Sequence, residues 1–233
     1  MNVLVVDVGG SHVKVKASGA TGPRRFDSDE QLTPTRLVEQ VRAATSDWKY
    51  DVVALGYPGA VAANAPSAEP GNLGIGWVGF DYEQAFGKPV RVVNDAVMQA
   101  LGGYDGGRML FLGLGTGLGS SLVTEHVVVP LELGCLIHAD GETMAEWLGR
   151  EGLERRGLDA WQRAVGAISS VLKDAFAADY IVLGGGNAER IDPLPPGTRR
   201  GGNDDAFEGG FRLWEEFVVP HDEHAEPVWR VVR

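Results

Sequence analysis

Two glycine-rich turns, each lying between two β-type segments, constrain this chain more than any other feature. The first lies in VVDVGGSHVKVK at residues 5–16, and the second lies in FLGLGTGLGSSLV at residues 111–123. Because glycine allows a tight turn with no Cβ in the way, each segment predicts a β-hairpin whose tip presents backbone N–H groups. Such a tip suits a phosphate, and two of them suggest that a phosphate is held from both sides.

Other phosphate-binding glycine motifs fit these turns poorly. A P-loop needs Gly-Lys-Ser/Thr leading into a helix, whereas Gly10 is followed by Ser11, His12 and an alternation of period two that predicts a strand. A dinucleotide fingerprint needs a third glycine and a following helix. The alternative for each turn alone is a tight hairpin with no ligand. Two such turns together, with Asp7 closing one strand, favour a functional role.

Composition and charge narrow the class of protein. A chain of 233 residues suits one large domain or two small lobes. The net charge of −11 argues against a nucleic-acid or membrane-surface binder, because these concentrate Lys and Arg. No apolar run approaches the ~20 residues of a membrane helix. Cys135 is the only cysteine, which permits no intrachain disulfide and fits a reducing, cytoplasmic compartment.

The hydrophobic pattern predicts a hairpin followed by a helix in each half of the chain. The predicted strands are residues 2–8, 12–18, 51–57, 90–95, 108–114, 118–124, 127–130 and 180–186. The predicted helices are residues 34–47, 96–103, 142–177 and 206–217, with loops at 60–80 and 192–203. This order indicates a faint internal duplication. We expect an N-terminal lobe at 1–105 and a C-terminal lobe at 106–233, with the tail from residue 206 returning towards the first lobe.

Seven short motifs occur in an order that resembles the ROK sugar kinases, and they span about residues 3–215. They are DVGGS, GYPG, GNLG, VND, LGTGLG, ELG and VLGGG. Within that family the chain looks closest to the polyphosphate/ATP glucokinase-like branch. The resemblance implies an α/β fold of the two-lobed, actin-like and ribonuclease H-like ATPase type, with a cleft between the lobes. It also implies an enzyme and allows a homodimer, since dimers are usual in this family.

The resemblance also implies the residues that bind phosphate and nucleotide. Asp7 is expected near the transferring phosphoryl group and Mg²⁺, through water, and the alternative is that Asp7 caps the turn through the N–H of Gly9 or Gly10. Lys14 either reaches a terminal phosphate or is a solvated strand residue. The remaining expected contacts are Gly9, Gly10, Ser11, Gly115, Thr116, Gly117, Gly184, Gly185, Gly186 and Asn187, for which tight turns are the alternative.

The VND motif is the expected catalytic centre. Sugar phosphorylation needs a base that accepts the hydroxyl proton, and a carboxylate within hydrogen-bond reach can serve. The resemblance gives this role to Asp95 and a sugar contact to Asn94. The alternative is that the pair caps the following helix. Gly59 and Asn72 are expected on the sugar side of the pocket, although turn chemistry alone also explains both.

The ELG motif resembles the sugar clamp of the family but departs from it at one position. Glu132 is expected to accept hydrogen bonds from two sugar hydroxyls. Cys135 stands where the family usually has histidine, and a thiol is a weak donor and acceptor, so the identity of the sugar is open. The alternative for Cys135 is a small buried apolar residue. His138 could compensate. Glu146 is expected to be a solvated helix residue, and the alternative is a second carboxylate on the sugar side. The zinc motif of the family is absent, so we expect no zinc.

These observations predict an ATP-dependent hexose kinase that uses Mg²⁺ and acts on a small-molecule sugar. Polyphosphate is the alternative donor and would need a basic groove, for which Arg190, Arg199 and Arg200 are the candidates. Two alternative functions follow from the departure at Cys135. One is a kinase-like sensor with little or no transfer, and the other is a kinase for a modified sugar.

Overall fold

The chain folds into two compact units. The computed structural model describes residues 1–138, 141–202, 204–218 and 225–232. The first unit comprises Met1–Gly102 and the described part of Ala206–Trp229, and the second comprises Gly103–Asp205 and Arg230–Val232. The described part of Ala206–Trp229 is thus grouped with the N-terminal residues, whereas a single boundary at residue 105 leaves it in the second lobe.

The strands and helices follow one another in the order that a mixed α/β protein requires. The strands are β1 (Val3–Val8), β2 (His12–Ala17), β3 (Arg24–Asp27), β4 (Val52–Tyr57), β5 (Val61–Ala62), β6 (Ala65–Pro66), β7 (Val90–Asn94), β8 (Arg108–Leu114), β9 (Leu118–Thr124), β10 (Val127–Leu131), β11 (Tyr180–Gly184), β12 (Thr198–Arg200), β13 (Glu216–Val218), β14 (Ala225–Pro227) and β15 (Arg230–Val231). The helices are α1 (Pro34–Ala44), α2 (Tyr82–Phe86), α3 (Asp95–Gly103), α4 (Met144–Leu148), α5 (Arg150–Arg156), α6 (Leu158–Ala175) and α7 (Asp205–Arg212).

The first unit is built on a five-stranded sheet in the order β3-β2-β1-β4-β7. The pairs β3/β2 and β2/β1 are antiparallel, and the pairs β1/β4 and β4/β7 are parallel. β4 is buried along its whole length, as expected for a strand covered on both faces. Helix α1 begins at Pro34 with Thr33 as its N-cap and buries Leu37, Val38 and Val41.

The second unit repeats this topology. Its six-stranded sheet has the order β12-β11-β8-β9-β10-β15. The pairs β10/β9 and β9/β8 are antiparallel, and β8/β11 and β11/β12 are parallel. The strands β10-β9-β8-β11-β12 therefore correspond one by one to β3-β2-β1-β4-β7. The internal duplication that the sequence indicated faintly is a duplication of strand order and direction.

The region predicted as one helical segment at 142–177 is divided into α4, α5 and α6, because glycines interrupt it. A Cβ on Gly149 would lie 2.4 Å from the Thr116 carbonyl oxygen, and Gly157 has a φ of +76°. In α6 the apolar side chains of Trp161, Val165 and Ile168 recur at helical spacing and are buried in the core. None of the described helices is both long and apolar enough to cross a bilayer.

The segment predicted as a helix at 206–217 is only partly helical. Helix α7 ends at Arg212, and the chain re-forms as β13, which pairs antiparallel with β14. The sequence also gave no indication of β3, β12 or α2, all of which are short. β5 and β6 form a two-stranded hairpin inside the predicted loop at 60–80.

Candidate functional site

In the first unit, the expected catalytic and phosphate residues meet at one edge of the sheet. β1, β4 and β7 are parallel, so their carboxyl ends lie side by side, which is where ligands bind in open α/β sheets. Asp7 is opposite Gly56, and Tyr57 is opposite Asn94. A Cβ on Gly56 would lie 3.0 Å from the Met98 Sδ and 3.6 Å from the Oδ1 of Asp7, so the glycine lets the Met98 side chain pack closely against β4 beside this carboxylate.

The carboxylate of Asp7 does not cap the hairpin turn. The N–H of Gly9 donates instead to the His12 carbonyl at 3.0 Å, which closes the hairpin. Within the described part of the chain, no hydrogen bond reaches the Asp7 carboxylate. Burial raises the pKa of Asp7 above its ordinary value, and the charge of Lys14 opposes this. Lys14 lies opposite Asp7 in the β1/β2 ladder and is exposed.

The tip of the first hairpin keeps its backbone donors available. The Ser28 hydroxyl donates to the Gly9 carbonyl at 2.6 Å, and the Ser28 N–H donates to the Ser11 carbonyl at 3.0 Å. The N–H groups of Gly10 and Ser11 and the Ser11 hydroxyl have no hydrogen-bond partner among the described residues. Of the three predicted donors, Gly9 therefore shapes the turn, while Gly10 and Ser11 can donate to an anion.

The GNLG turn lies directly against this hairpin tip. A Cβ built on Gly10 would be only 2.0 Å from the Nδ2 of Asn72, so the amide group occupies the space that any other residue at position 10 would fill. The structure thus brings a predicted sugar-side residue and a predicted phosphate residue together. The sequence spacing between residues 10 and 72 gives no indication of this contact.

Asn94 is the residue that caps helix α3. Its Oδ1 accepts from the N–H of Ala96 at 2.9 Å and of Val97 at 3.3 Å, and its Nδ2 donates to the Gly59 carbonyl at 3.0 Å. The capping alternative therefore applies to Asn94, which also ties the VND motif to the GYPG turn. Asp95 is the first residue of α3, where its Oδ1 accepts from Ala96 N–H at 2.8 Å. The positive end of the helix dipole favours a carboxylate there.

In the second unit, two glycine turns pack against each other at the carboxyl ends of β8 and β11. Gly185 has a φ of +77°, and a Cβ there would lie 2.7 Å from the Leu114 carbonyl oxygen, so only glycine fits. Asn187 donates through its N–H to the Leu114 carbonyl at 3.0 Å and through Nδ2 to the Gly115 carbonyl at 3.2 Å. These hydrogen bonds therefore hold the predicted nucleotide turn directly against the second hairpin.

The second hairpin tip is also held by a segment that the sequence did not indicate. The N–H of Arg150, at the start of α5, donates to the Gly115 carbonyl at 3.0 Å and to the Thr116 carbonyl at 3.2 Å. Gly149 allows this approach, since its missing Cβ leaves space for the Thr116 carbonyl. The Gly115 N–H donates to the Gly117 carbonyl at 3.2 Å, so it closes the turn as the Gly9 N–H does in the first hairpin.

Glu132 and Cys135 are both exposed at a single 3-10 turn, where the Cys135 N–H donates to the Glu132 carbonyl at 3.0 Å. The interpretation of Cys135 as a buried apolar residue is wrong, because the turn ends at the surface. The His138 ring packs edge-on against Trp147, with centroids 4.6 Å apart. Glu146 forms a capping box with Thr143, and these hydrogen bonds lower its pKa. This matches the helix-surface role expected of Glu146.

No group of three or more His, Cys, Asp or Glu side chains that could hold a metal ion occurs within the residues that the structure describes. A single carboxylate such as Asp7 is nevertheless compatible with Mg²⁺, which keeps several waters and is bound through one or two carboxylates together with substrate phosphates.

The fold matches solved structures of ROK family proteins. An inorganic polyphosphate/ATP-glucomannokinase from Arthrobacter sp. strain KM has a TM-score of 0.75 and 23% identity, with 90% of this chain and 96% of that chain covered. A ROK hexokinase from Thermus thermophilus has a TM-score of 0.68 and 20% identity, with 90% and 96% covered. A ROK family transcriptional regulator, a homologue of the E. coli MLC protein, has a TM-score of 0.65 and 15% identity, with 90% and 76% covered.

A scan against protein-family models finds no match for the sequence, and a search of curated proteins finds none either. The structural matches confirm the predicted α/β fold. They also show that one fold serves both sugar kinases and a transcriptional regulator, so the fold by itself does not assign an activity.

Proposed function

We propose that this protein is a sugar kinase that transfers a phosphoryl group from ATP to a hydroxyl of glucose or a related hexose. The observation that carries the proposal is the arrangement in the first unit. One edge of the sheet carries strand ends and turns that hold the candidate residues. These are Asp7, Gly10 and Ser11 with their free donors, Asn72 with its amide, and the pair Asn94-Asp95. The kinase structures with a similar fold also support this proposed function.

In this reaction the sugar oxygen attacks the terminal phosphorus of ATP, ADP leaves, and the hydroxyl proton must be accepted. We assign the proton to the carboxylate of Asp95. Asn94 acts as a positioning residue, since its hydrogen bonds to Ala96, Val97 and Gly59 fix the start of α3. Phosphoryl transfer otherwise depends on positioning and charge stabilisation, which the backbone donors of Gly10 and Ser11 in the first hairpin can supply.

Mg²⁺, when bound, would neutralise the charge that develops on the phosphate oxygens. Asp7 is the residue that we expect to hold it, through water, and Lys14 is the candidate contact for a terminal phosphate. In the second unit we assign the nucleotide to the tip at Thr116 and to the turn at Gly186, both of which are exposed.

ATP is preferred to polyphosphate as the donor because two of the three candidate arginines already have partners. The Arg199 guanidinium donates to the Gly103 carbonyl and lies 4.8 Å from the Tyr180 ring centroid. Arg200 donates to the Ala188 carbonyl at 3.3 Å and to the Ile191 carbonyl at 2.6 Å. Neither guanidinium is therefore fully available to line a basic groove.

A coupled ADP-release assay with ATP, Mg²⁺ and a panel of hexoses, including N-acyl sugars, tests the proposal. We expect turnover with glucose or a close relative. Turnover with an N-acyl sugar alone would favour a kinase for a modified sugar. Replacing ATP by polyphosphate in the same assay, with sugar phosphate as the product measured, tests the choice of donor.

A kinase-like sensor is the second candidate function. The departure at Cys135 and the match to a ROK transcriptional regulator favour it. Binding of a non-hydrolysable ATP analogue with no turnover of any sugar would support the sensor. The retained Asp95 and the two hairpin tips favour the kinase, because a sensor does not need a base for the acceptor hydroxyl.

Asp7→Asn is expected to raise stability while it removes Mg²⁺-dependent turnover. The folded-state pKa of Asp7 is raised because burial disfavours the carboxylate, so the charge costs stability at pH values above that pKa. Asn has the same shape without the charge. We expect a higher Tm at pH 7, and a turnover loss of about 100-fold or more because an ion contact is missing.

Thermal unfolding of both proteins between pH 3 and pH 8 provides the control. The difference in Tm should shrink as the pH falls and Asp7 is protonated. A lower Tm for the variant at pH 7 would contradict the assigned cause of the pKa shift, and unchanged turnover would remove Asp7 from the site.

Cys135→His is expected to lower the KM for glucose. An imidazole at this exposed turn can form a hydrogen bond that the thiol forms only weakly. One such bond contributes about 0.5–1.5 kcal/mol, which corresponds to a roughly 2- to 10-fold lower KM. Steady-state kinetics with glucose measure this, with Cys135→Ala as the control that removes the thiol without adding a donor. An unchanged or higher KM would mean that the pocket is shaped for a different sugar.

A further inference from the structure

The carboxylate of Glu69 receives hydrogen bonds from three consecutive backbone N–H groups. Its Oε2 accepts from Gly76 at 3.0 Å and from Trp77 at 3.1 Å, and its Oε1 accepts from Val78 at 3.2 Å. Hydrogen bonds to an ionised acceptor are stronger than those between neutral groups. A single side chain therefore joins the two ends of the segment 69–78.

The segment 69–78, which we call the Asn72 loop, is also anchored at its middle. Leu73 is buried, and the Gly74 N–H donates to the Leu32 carbonyl at 3.1 Å. The Trp77 side chain is fully buried, and its Nε1 donates to the Gly74 carbonyl at 2.6 Å. These contacts fix the middle and one end of the loop. The contact through Glu69 fixes the other end, from which the chain runs to Asn72.

Asn72 is the residue of this loop that contacts the hairpin tip, because its Nδ2 fills the space above Gly10. A change in the path of residues 69–72 would move this amide. The Glu69 side chain points into its own loop, to residues 76–78, so its effect on the tip passes through the backbone.

We propose that Glu69 is a positioning residue for the sugar acceptor, which it serves by holding the Asn72 loop against the hairpin tip. This inference rests on the kinase function proposed above, in which Asn72 is the expected contact for the sugar, and adds a positioning residue to it. Neither the GNLG motif nor its spacing to the other motifs indicates Glu69. Its role becomes visible only through the three N–H groups that its carboxylate accepts from.

The test compares Glu69→Gln and Glu69→Ala with Glu39→Gln. Glu39 lies on the exposed face of α1 in the same unit, so its variant makes the same charge change away from the loop. Gln keeps one acceptor oxygen and Ala keeps none. We expect the KM for sugar to rise severalfold in Glu69→Gln and about tenfold in Glu69→Ala, with the KM for ATP and kcat within about twofold of wild type.

Hydrogen exchange of the amides of residues 76–78 is the second readout, and it does not depend on turnover. These amides should exchange faster in both Glu69 variants and not in Glu39→Gln. Equal exchange rates in all the proteins would overturn the contact itself. Faster exchange with an unchanged KM for sugar would overturn the positioning role, as would a fall in kcat and in affinity for ATP by the same factor.

Different results would overturn the proposed kinase function and the proposed role of Glu69. If the wild-type protein turns over no sugar and binds none in calorimetry, the kinase function and the acceptor role of Glu69 are both overturned. If the wild-type protein is an active kinase and only the Glu69 variants behave as wild type, the function stands and the positioning role is wrong.

Discussion

The Asp95→Asn protein is expected to lose sugar phosphorylation by a factor of about 10² to 10⁴ in kcat, which is the usual contribution of a positioned general base. Asn has nearly the same shape as Asp but cannot accept the proton of the acceptor hydroxyl. The start of α3 should be preserved, because Asn94 provides the cap through its bonds to Ala96 and Val97, and an Asn side chain at position 95 keeps an oxygen that can accept from the Ala96 N–H. We therefore expect sugar affinity and Tm close to those of wild type.

Asp81→Asn is the matched control for this substitution. Asp81 caps α2 in the same unit by accepting from the Gln84 N–H at 2.9 Å, and Asn caps helices as well as Asp does. The control makes the same chemical change at a helix start, and its kcat should equal that of wild type. The measurements are kcat and KM in the coupled assay and sugar binding by calorimetry. Turnover of Asp95→Asn within a few-fold of wild type would remove Asp95 from the role of base.

Gly209→Ala is expected to destabilise the protein strongly. A Cβ at Gly209 would lie 1.7 Å from the Met98 carbonyl oxygen and 2.9 Å from the Gly102 nitrogen, so α7 and α3 touch through their backbones. Neither atom belongs to a flexible side chain that can rotate away, so the helices must separate. Overpacking of this kind costs about 1–3 kcal/mol or more, which lowers Tm by roughly 3–10 °C in a protein of this size.

Gly166→Ala provides a control that makes the same substitution but for which we expect the opposite change in stability. Gly166 lies inside α6, and a Cβ there would meet only Pro195 Cγ at an ordinary 3.8 Å. Because Ala has the higher helix propensity by about 1 kcal/mol, this variant should be slightly more stable than wild type. Thermal unfolding of both variants measures the difference. A Gly209→Ala protein as stable as Gly166→Ala would show that α7 does not pack on α3 at backbone distance.

The two hairpins could be predicted because the residues that form each of them are neighbours in the sequence. The alternation after Gly10 and the apolar run before Asp7 define a strand, a turn and a strand within a dozen residues. The same holds for the second hairpin, and both are confirmed as antiparallel pairs. The α/β fold was predicted from the order of the seven motifs, and the structural matches confirm it.

Local pattern mispredicts the structure where tertiary contacts override it. The helix predicted at 206–217 ends at Arg212, because the next residues are held by partners distant in the chain. The Trp214 indole donates to the Val53 carbonyl at 3.2 Å, and Arg91 lies 4.0 Å from the Trp214 ring centroid. β13 then forms with a partner strand that helical spacing does not reveal.

By itself, the sequence determined most of the element types and the two glycine tips, because turn chemistry and hydrophobic periodicity act over a few neighbouring residues. The candidate base Asp95 came from the resemblance of the motif order to a known family. Only the tertiary structure decided which polar groups are hydrogen-bonded within the protein and which stay available to bind a ligand. The N–H of Gly9 closes a turn while those of Gly10 and Ser11 remain available, Asn94 takes the helix cap, and Glu69 holds the Asn72 loop. Each outcome depends on atoms brought together from distant parts of the chain or on the exact path of a turn, neither of which residue spacing encodes.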